Sequence, residues 1–190
     1  MYIFMATVFI IHGSFGNPDE NWYPWLKKEL EKKGHNVFVP PFPTPDGQNL
    51  ENWRAVFLPY ELEVTEDTVV IGHSIGVAFL LRFLEQSDVK IHAAFFISGF
   101  ASLLHNEFDS VNKTFLDHPF LWKRIQEHCG KFVVFHGEND PYVPVSYAKE
   151  LAASLSTTPL IIPDAGHFNE KSGYKDFPLL REKILEVLKK

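Results

Sequence analysis

A three-layer αβα sandwich, with helices on both faces of a mainly parallel sheet of about six strands, is the fold class this 190-residue sequence predicts. Three observations predict it. Short apolar runs are continuous rather than alternating, helical periodicity fills the stretches between them, and a Gly-x-Ser-x-Gly pentapeptide stands at one strand-to-helix junction.

The runs are Ala6 to Ile11, Asn36 to Val39, Thr68 to Ile71, Ile91 to Ser98 and Lys131 to Phe135, with a weaker sixth from Pro159 to Ile162. Continuous Val, Ile and Phe suit strands buried on both faces. The opening, Met1 to Ile11, reads as such a strand and not as a signal peptide, because it lacks a basic leader and a small-residue cleavage site. Between the runs, Trp22, Trp25, Leu26 and Leu30 share one helical face, and Gly34 follows as a cap. Residues 50 to 63 and 75 to 86 also read as helix. Leu151, Ala152 and Leu155 mark another, and Leu180, Ile184, Val187 and Leu188 a last one, with Pro178 tolerated in its first turn. The proline-rich stretch from Pro40 to Gly47 is a stiff loop. Residues 101 to 129 are the least regular, with a second half that can be helical. No repeat or linker divides the chain, so residues 1–190 are expected to form one domain.

The net charge of −6, with no Lys/Arg block longer than the pairs Lys27-Lys28, Lys32-Lys33 and Lys189-Lys190, argues against a nucleic-acid partner. No run of about 18 apolar residues exists to span a membrane. The single cysteine, Cys129, fits a reducing compartment, and a cytoplasmic location is expected. No His, Cys, Asp and Glu spacing resembles a metal site and no phosphate-binding glycine loop occurs, so neither metal nor organic cofactor is expected.

Chemistry concentrates at Gly72-His73-Ser74-Ile75-Gly76. Chance supplies three fixed residues at about 7% each in several per cent of chains this long. The strand before and the helix after make the match stronger, because a nucleophile elbow needs that context. The serine must stand on a tight turn, and side chains at Gly72 or Gly76 would collide with the neighbouring strand or helix. A serine nucleophile needs a base and an acid, in the chain order Ser, Asp or Glu, His. His167, after the last run in Pro163-Asp164-Ala165-Gly166-His167-Phe168, is the expected base. Asp140, in Glu138-Asn139-Asp140-Pro141, is the expected acid, with Glu138 its rival. The oxyanion donors are expected to be the N–H groups of Ile75 and Ser14, with Phe15 as fallback for the second. His12 and His73 read as structural. Phe15, Phe100 and Phe168 each follow a strand end, where an α/β site opens, and Trp22 stands near the site loop at a helical spacing that also suits the core; all four are candidates to line a substrate pocket.

The opening from Val8 to Pro43, with its Asn21-Trp22-Tyr23-Pro24-Trp25, resembles the YdeN-like and retinoblastoma-binding-protein-9-like small serine hydrolases. So do the elbow, the run from Phe135 to Pro144 and the ending from Pro163 to Phe168. The resemblance spans nearly the whole chain. It implies a compact α/β-hydrolase core without a large cap, and a triad of Ser74, Asp140 and His167. The retinoblastoma-binding motif, Leu-x-Cys-x-Glu, does not carry over, because Cys129 is flanked by Glu127 and Lys131 at those positions.

The expected activity is hydrolysis of a small or medium acyl ester through an acyl-enzyme. The substrate partner would be a small molecule, with residues 101 to 129 the one candidate for a partial cover. The alternatives are a catalytically silent binding module on the same scaffold, or a peptidase or thioesterase using the same triad.

Overall fold

The computed structural model describes residues 5–189. The first four residues of the opening run and Lys190 of the last lysine pair lie outside them. Six strands, β1 (Thr7–Ile11), β2 (Asn36–Phe38), β3 (Val69–His73), β4 (Ala93–Ile97), β5 (Phe132–Gly137) and β6 (Leu160–Ile162), each fall within two residues of an expected run. They form one sheet in the order β2-β1-β3-β4-β5-β6, with every neighbouring pair parallel.

Alternate residues of the inner strands feed opposite cores. Val8, Ile10, Phe95 and Ile97 pack under α1 (Tyr23–Glu31) and α7 (Pro178–Val187). Phe9, Ile11, Ala94 and Phe96 pack under α2 (Leu50–Phe57), α3 (Ile75–Leu84) and α6 (Val145–Ser154). The layering is that of an α/β-hydrolase. Because both faces are covered, the inner strands carry apolar residues on both sides, with His73 and His136 only at the ends of β3 and β5, which is why continuous runs marked them.

Two elements differ from expectation. The helix read over 50–63 ends as α-helix at Phe57 and continues as a 3-10 segment over Leu58–Glu63. Pro59 has no N–H for the α-helical ladder, so the tighter form takes over. The irregular segment contains α4 (Asp109–Leu116) and α5 (Trp122–Glu127). Arg82 in α3 holds their connection. Its Nε donates to Phe115 O at 2.9 Å, and its guanidinium lies 3.9 Å from the Phe120 ring centroid.

The chain path sets the site. The order reverses direction between β1 and β3, and ligands in open parallel sheets bind beyond the strand ends at such a switch point.

Candidate active site

Ser74 follows β3 directly and caps α3 with φ 56° and ψ −124°. That conformation is strained for a residue with a side chain and must be held by its surroundings. Its N–H donates to Ile97 O at 2.9 Å, tying the turn to β4. The flanking glycines are steric requirements. A Cβ on Gly76 would stand 2.6 Å from Ile11 O and one on Gly72 2.9 Å from Val77 N, both backbone atoms. Gly13 admits the nucleophile in the same way, since a Cβ there would stand 2.9 Å from Ser74 Cβ.

His167 follows β6 on a loop with three left-handed residues, Asp164, Gly166 and Phe168. Its Nδ1–H donates to Asp140 Oδ2 at 2.7 Å. Asp140 Oδ1 accepts the N–H groups of Tyr142 (2.9 Å) and Val143 (3.0 Å). Burial pushes the Asp140 carboxyl up, but the His167 hydrogen bond and charge and the two N–H groups outweigh it, and the net displacement is below the ordinary value. A ring held through Nδ1–H presents Nε2 as an acceptor. The loops after β5 and β6 meet backbone to backbone. Asn139 Oδ1 accepts Gly166 N–H at 2.8 Å, and a Cβ on Gly137 would collide with Gly166 O. Glu138 is exposed, its N–H joined to Ile162 O at 2.9 Å.

Ser74 and His167 line one cavity of about 480 Å³. Its apolar lining is Phe15, Phe100, Leu104, Phe108, Tyr142 and Val143, and its polar lining includes Glu20, Asn21, Asn169, Glu170 and Lys171. Tyr142 meets the His167 ring edge-on at 5.1 Å. Phe108 joins Phe15 and Tyr142, each pair 6.0 Å between centroids. Leu104, Phe108 and Asn112, from the segment 101 to 129, form one side of the cavity.

The structure places the four pocket candidates differently. Phe15 and Phe100 line the cavity. Trp22 and Phe168 do not, which corrects that expectation. Both are fully buried in the core under α1 and α7, Trp22 edge-on to Phe177 and Phe168 stacked on it at 4.8 Å. Phe168 has φ 50°, and its neighbour His167 faces the cavity.

The loop after β1 is braced from outside. Phe15 N–H donates to Thr44 Oγ1 at 2.6 Å, so the fallback oxyanion donor is already engaged. Ser14 Oγ donates to Asn112 Oδ1 at 2.9 Å and accepts from Gln48 Nε2 at 2.7 Å. His12 accepts Phe42 N–H at Nε2 (3.2 Å), which leaves Nδ1–H to donate to Gly13 O at 2.9 Å. Burial lowers its pKa below the ordinary imidazole range. Thr44, Gln48 and Asn112 carry no motif. Only their long-range partners show what they do.

Among the described residues no group of three or more His, Cys, Asp or Glu side chains is arranged to hold a metal ion, and no helix is long and apolar enough to cross a membrane. Cys129 is buried, and burial pushes its thiol up to about 12.

The family model described as serine hydrolase matches residues 8–186. The YdeN protein of Bacillus subtilis (strain 168) is 29% identical over 187 residues, covering 96% of each chain. The serine hydrolase RBBP9 of Rattus norvegicus is 30% identical over 168 residues, 88% of each. The crystal structure of YdeN superposes with a TM-score of 0.92 over 98% of this chain and 100% of that one. Est1E from Butyrivibrio proteoclasticus, 16% identical with a TM-score of 0.70 over 98% and 86% of the two chains, shares the fold.

Proposed function

The chain belongs to the serine hydrolase family, and from that membership we propose that it hydrolyses small to medium acyl esters through an acyl-enzyme on Ser74. One observation carries the reading. Ser74 and His167 open onto the same cavity, and His167 is held through Nδ1 by the buried carboxylate of Asp140.

In this reading His167 Nε2 takes the proton of Ser74 Oγ as that oxygen attacks the ester carbonyl carbon. The N–H groups of Ile75 and Ser14 hold the oxyanion, with Ile75 at the positive end of α3. His167 passes its proton to the leaving alkoxide, and Ser74 keeps the acyl group. Water deprotonated by His167 then attacks the acyl-enzyme, releasing the acid and restoring Ser74. The wall from Phe15 to Val143 suits an apolar acyl group. The substrate is a small molecule, no cofactor takes part, and a single buried thiol accords with the cytoplasm.

A fluorophosphonate probe tests the nucleophile, and nitrophenyl esters of increasing chain length test the acyl preference. Labelling of the wild type that disappears in Ser74→Ala is the expected result. An unlabelled wild type would favour the silent binding module, and turnover confined to thioesters or amides would displace the ester reading.

A further inference from the structure

The segment Asn21-Trp22-Tyr23 has no step in the mechanism above, although Asn21 and Tyr23 line the cavity, and its polar groups converge on the loop that carries His167. Tyr23 Oη and His73 Nδ1 are 2.5 Å apart, and His73 Nε2 lies 2.8 Å from His167 O. Trp22 Nε1–H donates to Phe168 O at 2.9 Å, and Asn21 Oδ1 accepts Glu170 N–H at 2.8 Å. Three successive residues thus reach 167, 168 and 170, directly or through one ring.

We propose that Tyr23 and His73, with Trp22 and Asn21, form a hydrogen-bonded clasp that positions His167 against Ser74.

The partners of the two ring nitrogens imply one proton arrangement. A carbonyl only accepts, so His73 must carry its hydrogen on Nε2 to bond His167 O. Burial, with the nearby His167 charge, lowers the His73 pKa to about 3, so the ring is neutral and holds one hydrogen. Nδ1 is therefore an acceptor and Tyr23 Oη–H its donor. The hydroxyl fixes the tautomer that the His167 backbone requires. Without it, His73 can turn a bare lone pair toward that carbonyl. The loop needs such support, since Asp164 and Phe168 hold left-handed backbones without glycine's freedom. His73 also precedes Ser74, so one residue ties the nucleophile's turn to the base's backbone, with the two rings 4.9 Å apart. Asp140, His73 and Tyr142 contact His167, His136 lies behind at 3.8 Å from Asp140 Oδ2, and Glu20, Tyr23, Glu170 and Lys171 are the other titratable groups of the shared cavity.

The proposal rests on the serine hydrolase reading, and its test separates the two. Full-length wild type, Tyr23→Phe, His73→Leu and His73→Gln are compared in ester kinetics, fluorophosphonate labelling, thermal melts and long-range proton–nitrogen spectra of labelled histidines. Tyr23→Phe and His73→Leu should lower kcat by about 10- to 100-fold with KM within about threefold, because displaced catalytic groups lose rate rather than binding. They should also move the acid limb of the pH profile. His73→Gln keeps an N–H donor at the Nε2 position and should retain kcat within about threefold. The spectra should show wild-type His73 as the Nε2–H tautomer. An Nδ1–H tautomer overturns the clasp whether or not the protein turns over esters. So does an unaltered kcat and acid limb in Tyr23→Phe, or a His73→Gln variant as impaired as His73→Leu. A wild type that is not labelled refutes the nucleophile reading and leaves the tautomer to decide the clasp.

Discussion

Asp140 uses both carboxylate oxygens, one on His167 Nδ1 and the other on two backbone N–H groups of its own loop. Its lowered pKa is the electrostatic record of that arrangement. Replacing it by Asn keeps the shape but offers an amide N–H where His167 needs an acceptor. The ring then loses the tautomer that leaves Nε2 free. Asp140→Asn should lower kcat by roughly 10⁴-fold with little loss of fold. Glu138→Gln should stay within about twofold of wild type, because Glu138 is exposed and its side chain is not on the cavity. Steady-state kinetics of the two variants decide the matter. If Glu138→Gln is the crippled one, the acid is misassigned.

At the scale of elements, α3 does more than present the nucleophile. Arg82 on its buried face pairs with Glu85 at 2.9 Å and donates to Phe115 O and His118 O, while Glu85 Oε2 accepts Leu121 N–H at 3.1 Å. The helix thereby fixes the α4–α5 connection, and α4 brings Asn112 to the cavity. Arg82→Met leaves Glu85 buried without its cation, which should cost about 3–5 kcal/mol. The same variant should raise KM as the α4 wall loosens. Urea melts and ester kinetics check both; a melt within about 0.5 kcal/mol of wild type would remove Arg82 from this role. The strands were legible because burial on two faces writes a continuous signal into neighbouring residues. Ser74, Asp140 and His167 were legible as candidates because each follows such a run. Arg82, Gln48 and Asn112 were not, since the partners that give them these roles are carbonyls and side chains dozens of residues away. Trp22 shows the opposite failure. Its place beside the site loop suggested a pocket role, but a tryptophan at helical spacing serves the core equally well, and here its indole supports the His167 loop from below.

For the whole molecule, four buried imidazoles set the acid limit. Burial leads the lowering of the His12, His35, His73 and His136 pKa values, and that of His73 falls to about 3. In the unfolded chain the same rings take up protons below about pH 6.5. The unfolded state then binds more protons than the folded one, so stability falls as the pH drops from 6.5 toward each folded pKa. For His73 alone that displacement corresponds to roughly 4 kcal/mol at pH 3, a large share of the stability of a small domain, about 5–15 kcal/mol. Asp140 acts at lower pH. Its contribution is complete above the ordinary carboxylate range and is lost as the pH falls through its lowered folded pKa. Urea midpoints should therefore be level from pH 8 to 7 and decline steadily below pH 6.5, well before most carboxylates titrate. His73→Gln, which cannot be protonated, should decline less steeply over the same range. A wild-type midpoint unchanged down to pH 4.5 would mean that the imidazoles protonate within the folded protein, and would separate its acid limit from their burial.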